Sequence, residues 1–215
     1  MRLLAAILAS LVALATPAFA QGVERVTAPA GGISVEMPGG WSITPPDPSV
    51  EKLRGLTYRS PEFRRSAQTG SAPFLTLVKY PANHPGINPT MKVNYLALSD
   101  SMLRLDPVEL LTRLTDAMRR QSGGLEVLDA PALASFMGVG AHVRVAHTTR
   151  NRAGTPVETV SEMWITLLGD YAVILEAVYD ADEPAQTIVE IDGVARTLRI
   201  DETGPPPRLF GPQQR

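Results

Sequence analysis

Two long apolar segments separated by a two-residue turn constrain the fold of this chain more than any other feature. Residues 157–168 and 171–179 are rich in β-branched, aromatic and other apolar side chains, and Gly169-Asp170 lies between them. A glycine-first pair is a turn favoured in β-hairpins, and a turn at this pair places Ile165 opposite Ile174. Both faces of such a hairpin are apolar. The sequence therefore predicts a sheet that is covered on both sides.

Two helices are predicted to provide that cover. Asp106 and Glu109 have the spacing of a capping box, apolar side chains follow at helical intervals, and Gly123-Gly124 ends the pattern. A second helix is predicted over residues 183–198, with Asp182 as its N-cap. Helices and long strands together indicate an α+β fold with a mostly antiparallel sheet.

Shorter alternating segments predict the remaining strands. Residues 61–72 are polar and are expected to be irregular. The predicted strands are 33–37 and 41–43, paired as a hairpin, then 55–59, 74–80, 91–97, 125–128 and 133–137 on either side of Pro131, and 141–149.

The N-terminus has the layout of a secretory signal peptide. Arg2 precedes an apolar run over residues 3–14, and Ala18-Phe19-Ala20 has the A-x-A form of a cleavage site. The run is too short to be a stable membrane span. We therefore expect a periplasmic or secreted protein with one domain over residues 21–202. Residues 203–215, which are rich in Pro, are expected to form a disordered tail.

Composition excludes several classes of function. The chain contains no Cys, so disulfides, thiol catalysis and Cys-ligated zinc are all excluded. Its 20 basic and 22 acidic side chains leave a net charge of −2, which gives no general attraction to nucleic acid. No second apolar run reaches membrane-spanning length.

The three histidines are weak candidates for catalysis. His142 and His147 are five residues apart on a predicted strand, so they point to opposite faces and cannot share a metal ion. No G-x-S-x-G motif is present. A small hydrolase that uses His84 or His147 with a carboxylate remains the alternative interpretation, and no catalytic residue is predicted.

Acidic side chains and glycines also lack the spacing of a known site. Glu158 and Glu162 share a strand face at a separation of roughly 13 Å, too far for a glycosidase pair. The group Asp180, Asp182 and Glu183 lacks the spacing of a calcium loop. Gly138-x-Gly140 lacks the third glycine of a nucleotide-binding motif and precedes a strand. We predict no metal site and no cofactor.

The loop over residues 81–89 is the best candidate for recognition. It contains three prolines, which reduce the entropy cost of presenting a surface, and loops on rigid scaffolds often carry binding residues. Asn83, His84 and Asn88 supply hydrogen-bond donors and acceptors. We predict these three as binding residues, although a simple connection between strands also explains the segment.

Residues 31–201 resemble the PsbP-like superfamily. The matching segments are Met37-Pro38-Gly39-Gly40-Trp41, Asp106-Pro107, Gly138 to Ala141, and Gly169-Asp170 before an apolar strand and a final helix. The resemblance implies an α/β/α sandwich. Members of this superfamily include photosynthetic subunits, a nuclear transport regulator, secretion chaperones and bacterial envelope proteins, which mostly bind other proteins and are not generally enzymes. No binding residue of the family can be placed on this chain.

The sequence and the resemblance together favour an exported, non-catalytic protein of the bacterial cell envelope. We expect it to bind an envelope protein or a small ligand, or to stabilise an envelope complex. The sequence does not predict its oligomeric state.

Overall fold

The predicted hairpin lies at the centre of a seven-stranded antiparallel sheet. In the computed structural model, which describes residues 23–69 and 72–201, β8 (Pro156–Leu168) and β9 (Tyr171–Asp180) pair along their whole length. Ile165 pairs with Ile174 and Trp164 with Leu175, as the turn at Gly169-Asp170 predicts. The signal-peptide and tail predictions fall on residues 1–20 and 203–215, outside the described part of the chain.

The large sheet has the strand order β3-β4-β5-β9-β8-β7-β6. Besides the hairpin, it contains β3 (Ser42–Ile43), β4 (Leu75–Val78), β5 (Thr90–Ala97), β6 (Glu126–Ala134) and β7 (Gly140–Arg150). A second sheet of three short strands contains β1 (Glu24–Thr27), β2 (Ile33–Met37) and β10 (Arg199–Ile200), with β2 in the middle.

Helices pack on both faces of the large sheet. On one face, α3 (Pro107–Gln121) covers β6, β7 and β8, and its buried Leu110 and Leu111 join a core with Val143 and Ile165. On the other face lie α2 (Pro61–Thr69), α4 (Ala185–Thr197) and the small sheet. The short helix α1 (Pro48–Glu51) contributes Val50 to this second core. The expected α+β fold with a mostly antiparallel sheet is confirmed.

Helix α3 begins as the sequence predicts. The Asp106 side chain accepts a hydrogen bond from the Glu109 backbone, and the Glu109 carboxylate accepts one from the Asp106 backbone. This reciprocal pair satisfies two of the backbone donors that every helix leaves free at its start.

Five local predictions were wrong. Asp182 does not cap α4, whose N-cap is Pro184 without a side-chain hydrogen bond. Residues 33–37 and 41–43 do not form a hairpin, because β2 and β3 belong to different sheets. Residues 55–59 form turns instead of a strand, and residues 61–69 form helix α2. Pro131 does not interrupt β6, since the strand accommodates it through shifts of register against β7.

Candidate functional site

The loop over residues 81–89 joins β4 to β5 and is held at its base by Asn88. The Asn88 side chain accepts a hydrogen bond from the Tyr80 amide at 2.9 Å and donates one to the Tyr80 carbonyl at 2.6 Å. The Lys79 amide also donates to the Pro89 carbonyl at 3.0 Å. Because both ends of its amide bond the Tyr80 backbone, Asn88 sets the shape of the loop.

Three more contacts fix the tip of the loop. The His84 ring stacks on the Tyr80 ring, with 4.3 Å between centroids, and the His84 amide donates to the Pro81 carbonyl. Arg152, from the turn between β7 and β8, donates to the Ala82 carbonyl at 2.8 Å. Asn83 is exposed and His84 is half-buried. We call the exposed side chain of Asn83 and the half-buried side chain of His84 the loop surface.

Tyr80 connects the loop to helix α4. Its hydroxyl donates to the Glu183 carboxylate at 2.6 Å, and Glu183 also accepts from the Thr187 hydroxyl at 2.8 Å. This hydrogen bond to a carboxylate, together with burial, raises the pKa of the Tyr80 hydroxyl. Tyr80 therefore stays protonated and keeps the loop attached to the helix.

A second contact between this end of β4 and α4 is an ion pair. Lys79 lies 3.0 Å from the Glu190 carboxylate, which also accepts from the Trp41 indole at 2.8 Å. Burial raises the pKa of Glu190, but the hydrogen bonds from Trp41 and Lys79 outweigh it and hold that pKa below its usual range. The ion pair between Lys79 and Glu190 thus attaches the end of β4, which leads into the loop, to α4.

The structure contains a histidine–carboxylate pair, but not at the histidines that the hydrolase interpretation names. His142 Nε2 lies 2.9 Å from Glu162 Oε2, and the Tyr179 hydroxyl donates to Oε1 of the same carboxylate. Only 4 % of the Glu162 side chain is exposed. The His142 ring stacks on Trp164 at 4.6 Å between centroids.

Glu162 remains ionised in this environment. Burial raises the pKa of its carboxyl, but the hydrogen bonds from His142 and Tyr179 outweigh that effect, and the pKa lies below its ordinary value of 4.5. Within residues 23–69 and 72–201, no side-chain hydroxyl makes a hydrogen bond with His142. The His142 side chain thus provides a hydrogen-bond partner for a buried carboxylate, which would otherwise be costly in the folded protein.

The sequence interpretation missed this cluster because its members come from three strands. Glu162 pairs with Arg144 on β7 and Ala177 on β9, so its contacts to His142 and Tyr179 are diagonal. One signal was available: Glu162 is the single acidic side chain within the apolar segment 159–168. A charge in that position requires a partner in the folded protein.

Neither His84 nor His147 forms an ion pair with a carboxylate in the described part of the chain. His147 has a buried Nδ1 without a hydrogen-bond partner. Its strand register places it on the face opposite His142, as predicted. The described residues contain no group of three potential metal ligands, and none of their helices is long and apolar enough to cross a membrane.

Comparison with known proteins rests on structure alone. No family model matches the chain, and no curated protein matches it by sequence. The solution structure of cyanobacterial PsbP (CyanoP) from Synechocystis sp. PCC 6803 superposes with a TM-score of 0.50 over 83% of this chain and 92% of that one. The Saccharomyces cerevisiae Ran-binding protein Mog1p superposes with a TM-score of 0.51 over 84% and 96%.

The chain has the PsbP-like fold. Sequence identity is 13% with CyanoP and 15% with Mog1p, so the likeness is one of fold. LpqN, involved in cell envelope biogenesis of Mycobacterium tuberculosis, superposes at a TM-score of 0.49, with 13% identity over 83% of this chain and 91% of that one. The shared fold consists of the sheet and its packed helices. The loop surface is defined only from the residues of this chain.

Proposed function

We propose that this protein is an exported, non-catalytic accessory protein of the bacterial cell envelope. It binds an envelope protein or a small ligand through the loop surface formed by Asn83 and His84. The observation that carries the proposal is the rigid attachment of an exposed polar loop. Its base is fixed by Asn88, its tip by Arg152, and its underside by the Tyr80 ring.

Rigidity favours recognition because an ordered loop loses little conformational entropy on binding. The loop is also attached to α4 through Tyr80 and to the β7–β8 turn through Arg152. The fold is compatible with this role, since Mog1p, which shares it, is described as a Ran-binding protein. The specific partner of this chain follows from neither fact.

Site-specific crosslinking in the native envelope tests the proposed surface. A photo-reactive amino acid at position 83 should form a discrete covalent adduct, and the same group at Arg113, on the opposite face of the large sheet, should not. His84→Ala in the position-83 variant should reduce the adduct severalfold, because the histidine contributes part of the surface. Equal adducts from both positions, or an adduct unaffected by His84→Ala, would contradict the proposal.

Substitutions of the three predicted binding residues are expected to change the free energy of unfolding by different amounts. Asn83→Ala and His84→Ala should each change the free energy of unfolding by less than about 0.5–1 kcal/mol, as is usual for surface substitutions. Asn88→Ala should cost about 1–3 kcal/mol, because it leaves the Tyr80 amide and carbonyl without partners. Urea unfolding of the three variants measures this difference. Equal effects would show that Asn88 does not hold the loop.

Export has its own test. N-terminal sequencing or mass spectrometry of the protein from bacterial envelope fractions should show a chain beginning at Gln21, because Ala18-Phe19-Ala20 provides the cleavage site. Ala20→Leu should block this processing by removing the small side chain next to the cleaved bond, whereas Ala9→Leu within the apolar run should not. A soluble protein that retains Met1 would contradict export.

A further inference from the structure

A second open surface lies at the far end of α4 from the loop. A cavity of about 680 Å³ opens between β10 and the connection from β6 to β7. Met137 and Gly138 line one side, and Arg196, Arg199 and Ile200 line the other. This volume lies within the range of natural ligand sites.

One border of the cavity is the unpaired edge of a strand. Among the described residues, β10 pairs only with β2, and it lies at the end of the small sheet. The Asp201 amide donates to the Gly32 carbonyl. Since hydrogen bonding alternates along an antiparallel strand, the backbone groups of the preceding Ile200 point away from β2. They are available to a further strand.

The opposite border is rigid. Phe136 is only 1% exposed and anchors the connection in the core, and the Thr166 hydroxyl donates to the Val139 carbonyl at 2.9 Å. Met137 and Gly138 follow one another with positive φ values of 50° and 100°. A left-handed methionine is an unfavourable conformation, and such a residue persists only where the surrounding contacts fix the backbone. The cavity is therefore preformed.

The charged side chains that line the cavity are all positive. Both charged side chains that line it are arginines, and neither forms an ion pair with a carboxylate of residues 23–69 or 72–201. Arg199 uses one guanidinium nitrogen on the carbonyls of Arg196 and Leu198, which leaves its other donors free. Val139 beside the cavity is 70% exposed. The surface thus combines free cationic groups, an apolar side chain and a strand edge.

We propose that an extended, acidic segment of another protein binds in this cavity by adding a strand to β10. Its backbone pairs with Ile200, its carboxylates contact Arg196 and Arg199, and its apolar side chains pack on Met137 and Val139. Strand addition explains why this cavity has a free sheet edge on one side and arginines at the same place. This surface is separate from the loop surface, and the inference does not depend on the loop.

Nuclear magnetic resonance titration of the ¹⁵N-labelled protein tests this proposal. The probe is an acetylated and amidated hexapeptide of alternating Glu and Val. It should cause saturable shifts at the amides of Gly138, Arg199 and Ile200, and Arg196→Glu should weaken its binding about tenfold because like charges then face each other. Arg113→Glu, an exposed reversal on the opposite face of the large sheet, should leave the affinity unchanged.

Three further probes separate strand addition from simple charge attraction. The same hexapeptide with alternate backbone nitrogens methylated keeps its charge but cannot pair with β10, and it should lose most of its affinity. A hexapeptide of alternating Lys and Val should not bind. Inorganic phosphate should cause no shift at Ile200. Equal binding of the methylated peptide, or matching shifts with phosphate, would overturn the proposal, as would binding that survives Arg196→Glu together with Arg199→Glu.

Discussion

Ile165→Ala is expected to lower the free energy of unfolding by about 2–5 kcal/mol. Ile165 is fully buried between the large sheet and α3, in contact with the core that contains Leu110 and Val143. Truncation leaves a cavity that the surrounding strands of a paired sheet cannot close. Urea unfolding monitored by tryptophan fluorescence measures the loss.

Ile174→Ala is the matched control for this substitution. Ile174 pairs directly with Ile165 across the hairpin, but it is only half-buried. The same chemical change should therefore cost clearly less at Ile174 than at Ile165, because solvent already contacts part of the side chain. Equal losses, or a loss below about 0.5 kcal/mol at Ile165, would contradict the register of the hairpin and the position of α3.

His142→Ala is expected to destabilise the protein by about 3 kcal/mol at pH 7. It removes the main hydrogen-bond partner of Glu162 and leaves a buried carboxylate with only the Tyr179 hydroxyl. Breaking a buried pair in this way costs about 3–5 kcal/mol in other proteins, and the partial exposure of His142 places this case at the low end. Denaturant unfolding across a range of pH measures the effect.

The pH dependence identifies the cause of that loss. The pKa of Glu162 in the folded protein lies below its ordinary 4.5, so the ionised carboxylate stabilises the fold above that pH. This contribution disappears as the pH falls through the lowered pKa. In the variant the carboxylate lacks His142, so the deficit should be full near pH 7 and should shrink at acid pH, where a protonated carboxyl needs no such partner.

A double-mutant cycle provides the control. In a Glu162→Gln background the buried charge is absent, so His142→Ala should have a small effect that does not vary between pH 4 and pH 7. A loss of the same size in both backgrounds would show that His142 stabilises the protein through its packing on Trp164 alone. In that case the hydrogen bond between His142 and Glu162 would contribute nothing.

The parts of the fold that the sequence predicts are those with strong local signals. Gly169-Asp170 specifies its hairpin because a two-residue turn determines the register of both strands. Asp106 and Glu109 specify the start of α3 because the capping box needs only four consecutive residues. In both cases the decisive contacts lie within one segment of the chain.

The parts that were missed depend on contacts between distant segments. Strand β2 takes its partners from residues 24–27 and 199–200, and a two-residue strand has no periodicity to detect. Helix α2 is polar except for Phe63 and Ala67, whose four-residue spacing buries both on one face. Polar composition alone did not distinguish such a helix from a loop.

The candidate site also has one part that the sequence predicted and one part that it did not. The prolines of the loop indicated a stiff segment, and the structure shows how that segment is attached. The engagement of Asn88 by the Tyr80 backbone depends on the path of the loop, which the sequence alone does not specify. Asn83, His84 and Asn88 all remain predicted binding residues, and Asn88 also holds the base of the loop.

The small sheet determines when the molecule can finish folding. Its central strand, β2, lies near the start of the described chain, and its last partner, β10, is separated from it by more than 160 residues of sequence. Almost the whole polypeptide must be present before Ile200 can reach Ile33. Pairings of such high contact order form slowly and late. A chain that emerges from the ribosome N-terminus first therefore leaves β2 without this partner until residues 199–200 have emerged.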